Sequence, residues 1–95
     1  MIVEVKIQKS RIGGAGQWYT VKNGTGSNAT LQAQIERFDE KSMYGIKGGR
    51  ISKLFVVENG AGWGNYLYYF DRGEQKHAAN KEVQAFVDEI IRKYN

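Results

Sequence analysis

Lys47, Arg50 and Lys53 recur every third residue within Tyr44-Gly45-Ile46-Lys47-Gly48-Gly49-Arg50-Ile51-Ser52-Lys53-Leu54, among Gly45, Gly48 and Gly49. Successive glycine N–H groups can form a concave nest for an anion, and three cations would add charge to it. Widened to residues 41–57, the segment gains Lys41 and contains no acid. The chain has 14 Lys+Arg and 10 Asp+Glu, so ten basic residues (14 − 4) and ten acidic ones cancel elsewhere, and the formal net charge of +4 sits in this window. The chemistry on offer is reception of an anionic group, with Gly48 and Gly49 letting it approach the backbone. A nucleoside triphosphate loop is not expected, because the Gly-Lys-Ser/Thr ending is missing and an apolar strand follows where a helix should. The plainer alternative is a glycine-rich hairpin whose charges stay in solvent.

Two residues elsewhere are candidate accessories. Arg72, within Asp71-Arg72-Gly73, lies beside a strand end, as Arg50 does. Two guanidiniums near one site can fork onto a carboxylate or phosphate. The alternative for Asp71-Arg72-Gly73 is a type I turn. Trp63 stands between Gly62 and Gly64, with little local structure to bury it, and an exposed loop tryptophan suits a partner contact or a stacking face. The aromatics Trp18, Tyr19, Tyr44, Tyr66, Tyr68 and Tyr69 can stack bases or pack a core.

Catalytic and metal chemistry find no support. His77 is the single histidine, without cysteine or a second histidine to share a ligand set. Asp39 and Glu40 are adjacent, and on a strand they would face opposite ways, a poor acid–base pair. No catalytic residue, metal ligand or cofactor is assigned.

The elements must position these side chains within one domain of 95 residues, residues 1–95. A chain of that length buries roughly 60–65% of its unfolded surface, enough for one modest core. Cysteine is absent, which excludes disulfides and thiolate chemistry. No apolar run approaches the roughly 18 residues of a membrane span, and the N-terminus lacks a signal-peptide apolar region. A cytoplasmic protein with no membrane partner is expected, and a pI near 9.4 favours anionic partners.

The chain has twelve glycines and no proline, and the glycines cluster at Gly13-Gly14-Ala15-Gly16, Gly24-Thr25-Gly26, Gly45 to Gly49, and Gly60-Ala61-Gly62-Trp63-Gly64. Such spacing suits turns between antiparallel strands. Residues 2–9 alternate, with Val3, Val5 and Ile7 opposite Glu4, Lys6 and Gln8. Residues 17–22 are β-prone. Leu31, Ala33 and Ile35 alternate within 29–38, and 50–58 reads as a buried strand with a bulge near Ser52-Lys53. In 65–71, Tyr66, Tyr68 and Phe70 take one face, Leu67 and Tyr69 the other.

The tail changes period. Val83, Phe86, Val87, Ile90, Ile91 and Tyr94 form one helical stripe, with Asn80 as N-cap. Asp88–Arg92 and Glu89–Lys93 stand at i,i+4 on the wet side. The fold class is α+β: a mainly antiparallel sheet of about five strands with one C-terminal amphipathic helix packed on one face. One helix covers one face. The other, with Trp18, Tyr19 or part of the tyrosine row, is expected to close by barrel curling or against a second copy, making a homodimer.

Residues 38–54, from Phe38-Asp39-Glu40 through Gly48-Gly49-Arg50-Ile51-Ser52-Lys53-Leu54, resemble the hallmark segment of a family of short uncharacterised proteins. That family is common in bacteriophages and integrated elements of Gram-positive bacteria. Tyr69-Phe70-Asp71-Arg72-Gly73 resembles its second motif, an aromatic followed by Asp-Arg-Gly. The resemblance covers roughly residues 29–95. It implies a phage or mobile-element setting and transfers no mechanism.

The functional expectation is a non-enzymatic phage or mobile-element binding protein that inhibits or sequesters a component of host defence. Its partner would be an anionic ligand or a host protein target, with nucleic acid or a nucleotide as candidate anions. Its candidate ligand-binding residues are Lys47, Gly48, Gly49, Arg50, Lys53, Trp63 and Arg72. The alternative is a nucleic-acid-binding module using the sheet aromatics and the basic glycine-rich loop. An enzyme acting on a phosphorylated substrate ranks last.

Overall fold

A computed structural model of the chain describes residues 2–8 and 16–95. Among these, six strands form one antiparallel meander in the order β1 (Val3–Gln8), β2 (Gln17–Lys22), β3 (Leu31–Arg37), β4 (Ile51–Glu58), β5 (Tyr68–Asp71), β6 (Glu74–Lys76). A single helix, α1 (Lys81–Tyr94), follows and lies over the central strands β3 and β4. The class is α+β, with one strand more than expected. The added strand is β6, three exposed residues that pair only with β5. Among the described residues the sheet stays open, with β1 and β6 as its two edges and no barrel closure.

The helix forms where its periodicity places it. Asn80 caps it, its side-chain oxygen accepting from the Val83 N–H at 3.0 Å. Val83, Phe86, Val87, Ile90 and Tyr94 are buried, whereas Ile91 is half-buried at the stripe's edge. Asp88 accepts from Gln84 at 2.9 Å and makes no ion pair with Arg92.

Cross-strand register explains which residues meet the helix. Val21, Ala33, Val56 and Tyr68 make one row of the covered face, and Tyr19, Ile35, Leu54 and Phe70 the next. Among the described residues, nine Ile, Leu and Val side chains are fully buried, from Ile35 and Leu54 to Val87, each contributing about 1.5–3 kcal/mol by leaving water.

Several facings differ from those expected. A bulge at Val5 sets Glu4 opposite Val21, so the Glu4 carboxylate accepts from the Tyr94 hydroxyl while Val5 is 55% exposed. Tyr19 lies on the covered face, its ring 5.0 Å from that of Tyr94. β5 begins at Tyr68, so Tyr66 precedes it and joins Tyr69 on the uncovered face, 4.7 Å between ring centroids. The facing of Ile7 and the turn at Gly13–Ala15 lie outside what is described. The expected bulge at Ser52 is present, between the pairs Arg37–Ile51 and Glu36–Lys53.

The uncovered face carries the rows Trp18–Glu36–Lys53–Asp71 and Thr20–Gln34–Phe55–Tyr69. Trp18, Tyr66 and Tyr69 surround Phe55, with centroids 6.0, 5.5 and 4.9 Å away. No helix among the described residues is long and apolar enough to cross a membrane.

Candidate anion-binding site

The loop from β3 to β4 is tied at several points. Ser42 N–H donates to Gly49 O at 2.9 Å, and Phe38 N–H to Arg50 O at 3.0 Å. Ile46, 4% exposed, plugs the core from the short 3-10 turn Ile46–Gly48. Asn95 adds the staple: its side-chain Oδ1 accepts from Arg50 N–H at 3.0 Å and Ile51 N–H at 3.2 Å, and its Nδ2 donates to Ile46 O at 2.9 Å. This accounts for Gly49, where a Cβ would stand 2.1 Å from Asn95 Oδ1. Gly45 is needed for a similar reason, since its Cβ would meet Gly49 O.

On one side of this loop, against the ends of β3, β4 and β5, opens a cleft of about 720 Å³. Arg50, Lys53, Arg72 and Lys41 line it, together with Glu36, Glu40, Ser52, Tyr44 and Phe38. The register Lys53–Asp71 puts the β4 start beside the β5 end, which brings Arg50 and Arg72 to one place although 22 residues (72 − 50) separate them. Arg72 N–H donates to Ser52 O at 3.3 Å. Arg72 takes a left-handed backbone, φ 57, with Gly73 completing the turn.

Four cations and two carboxylates line the cleft, a formal +2 (4 − 2). Glu36 is engaged, accepting from Ser52 Oγ at 2.8 Å. Among the described residues the side chains of Arg50, Lys53, Arg72 and Lys41 make no ion pair or hydrogen bond. Arg50 therefore pairs with neither Asp39 nor Asp71, and its Nε is buried without a partner. An orphaned buried donor is costly unless something accepts from it.

Other candidates lie elsewhere. Lys47 and Gly48, both with positive φ (52 and 68), point the loop tip away and line no part of the cleft. Gly49 faces Asn95. Trp63 is 39% exposed in the β4–β5 loop, at the far end of those strands, so it cannot share an anion with Arg50. The aromatic rings at the cleft are instead Tyr44 and Phe38. Tyr44 and Lys41 fall inside the basic window and were detectable there. Phe38 opens the segment that carries the family resemblance, whereas Glu36 and Asn95 gave no local signal as site residues. Among the described residues no three His, Asp or Glu side chains gather in a metal-binding cluster.

Residues 18–95 match the family described as Domain of unknown function (DUF7678). The chain belongs to it. No curated protein and no solved structure matches the chain. The DUF7678 span takes in every residue that lines the cleft and the Asn95 staple, and starts after β1.

Proposed function

We propose that this DUF7678 protein is a non-enzymatic binding protein whose cleft receives an anionic group of its target on Arg50, Lys53, Arg72 and Lys41. One observation carries the reading: four cations without partners among the described residues, from three separate segments, converge on one cleft where Arg50 Nε is buried and unsatisfied. Guanidinium pairs match the fork geometry of phosphate and carboxylate. The likeness of residues 38–54 and 69–73 to short phage and mobile-element proteins extends the reading to its setting. There the protein would inhibit or sequester a component of host defence, in the cytoplasm of the host.

Arg50→Ala is expected to weaken binding of a phosphorylated ligand by about 1.5–3 kcal/mol, the usual worth of a charge-assisted contact, with little change in melting temperature. Thermal shift with a panel of phosphorylated compounds, followed by calorimetry on the variant, checks it. In cells, Lys53→Glu with Arg72→Glu should abolish protection of a phage from the host defence, and Lys47→Glu should leave it intact. Activity surviving the double reversal would remove the cleft from the function.

Direct binding of single-stranded nucleic acid is the second reading. It is favoured by the continuity of the cleft with the uncovered face, where Lys53 shares its row with Trp18 and lies two residues from Phe55. Stacking rings beside a basic groove hold single strands. A homodimer would cover the same face, so strand binding and dimerisation would compete in sedimentation. Strand affinity that falls steeply with salt marks this reading.

A further inference from the structure

Tyr44 is 61% exposed at the rim of the cleft, on a loop otherwise tied into the core through Ile46 and Asn95. We infer that the cleft takes a nucleoside phosphate, with the phosphate on the cations and the base against the Tyr44 ring. The inference rests on the anion-binding reading and adds what the anion is attached to. Three features of the lining carry it.

The first is the pairing of ring and charge. Tyr44 lines the same cleft as Arg50 and Arg72, with Phe38 beside it. A ring so exposed contributes little to the fold. A base presents a π-face to such a ring, and guanidiniums add cation–π attraction. The backbone that carries the ring is also held before any ligand arrives. Tyr44 N–H donates to Ser42 Oγ at 3.1 Å, and Ser42 N–H to Gly49 O at 2.9 Å. A preordered contact loses less entropy on binding.

The second is the presence of carboxylates. Glu36 and Glu40 line the cleft, and an ionised carboxylate only accepts hydrogen bonds. A site for bare phosphate gains nothing from them. Ribose hydroxyls and exocyclic base amines are donors that suit them. Glu36 already receives Ser52 Oγ and keeps lone pairs for a second donor.

The third is the sum of charge. The lining's +2 (4 − 2) balances one phosphate monoester, about −1.5 to −2 at pH 7. It falls short of a run of phosphates along a strand.

Calorimetry of the whole chain with the four ribonucleoside monophosphates, ribose 5-phosphate, inorganic phosphate and a single-stranded oligothymidylate tests this. At least one monophosphate is expected to bind about 5- to 150-fold more tightly than ribose 5-phosphate, the span of one base–aromatic stack. Tyr44→Ala should remove that advantage and leave ribose 5-phosphate affinity unchanged. Equal affinity for ribose 5-phosphate and every nucleotide would overturn the nucleoside while the anion reading stands. Tighter binding of the oligomer, with steep salt dependence, would overturn it in favour of a strand. Binding of none of these phosphates would overturn both.

Discussion

Arg72 and Lys47 hold left-handed backbones, φ 57 and 52, a conformation that costs an L-residue about 1–2 kcal/mol. Glycine adopts it freely. Such strain persists where the surrounding structure over-determines it, and it clusters at functional sites. For Arg72 the return is a guanidinium at the cleft. For Lys47 the geometry offers no comparable return, because its side chain lines another part of the surface, beside the helix. Arg72→Gly and Lys47→Gly are therefore both expected to melt at or above the parent's temperature, relieving roughly 1 kcal/mol of strain. Anion affinity should fall only in Arg72→Gly. Melting curves with and without a phosphate ligand read both quantities. Equal loss of affinity in the two variants would return Lys47 to the site.

At the scale of elements, the helix does two separable things. Its stripe closes the core, and its last turn holds the cleft loop. Phe86, 4% exposed, belongs to the first, and Phe86→Ala should cost about 3–5 kcal/mol. Asn95, just past the helix, belongs to the second. Asn95→Ala leaves Arg50 N–H and Ile51 N–H without the Oδ1 acceptor, at about 1–3 kcal/mol for each group that stays dry, while Ile46 O keeps its bond from Gly49 N–H. Denaturant unfolding should report both losses. Hydrogen exchange should separate them, since Asn95→Ala accelerates exchange across residues 45–51 selectively and weakens ligand binding with it. Phe86→Ala should lower protection across the sheet. Uniform exchange in both variants would show that the loop does not depend on the staple. Arg37 reinforces the same junction, its Nε donating to Tyr94 O at 2.6 Å at the negative end of the helix.

For the whole molecule, two buried tyrosines set its alkaline limit, and one of them, Tyr94, ties the helix end to β1. Tyr68 is pushed up to about 12 by burial, with the Glu74 and Asp88 carboxylates adding to the effect. Tyr94 is raised as well, by burial first and then by its hydrogen bond to Glu4, which links the helix end to β1. Both pKa values lie above the unfolded value near 10. The folded state thus keeps protons that the unfolded chain releases. This stabilisation is fully present below about pH 10 and is lost as pH rises towards 12 and beyond. Two of the six tyrosines should therefore ionise only with unfolding, seen as late tyrosinate absorbance coincident with loss of circular dichroism. Tyr94→Phe should leave a single late step. Ionisation of Tyr68 and Tyr94 near pH 10, with the fold intact, would contradict the burial described.

Local pattern was enough for the helix, since the stripe from Val83 to Tyr94 and the Asn80 cap lie within one short segment and need no distant partner. It was enough for β2, β3 and β4 and for the bulge at Ser52, where the apolar period itself slips. It placed charge on 41–57 and picked out Arg50, Lys53 and Arg72. It did not show β6, because Glu74-Gln75-Lys76 carries no apolar alternation and becomes a strand only by pairing with β5. Nor did it show the bulge at Val5, which reversed the facing of Glu4. The cleft was a tertiary decision. The Lys53–Asp71 register joins two strand ends into one wall, and it removes Trp63 to the opposite end. Asn95 reaches Ile46 across 49 positions. A single sequence carries residue types and local period, while which distant residues meet depends on strand register and helix docking, and those are settled only when the core packs.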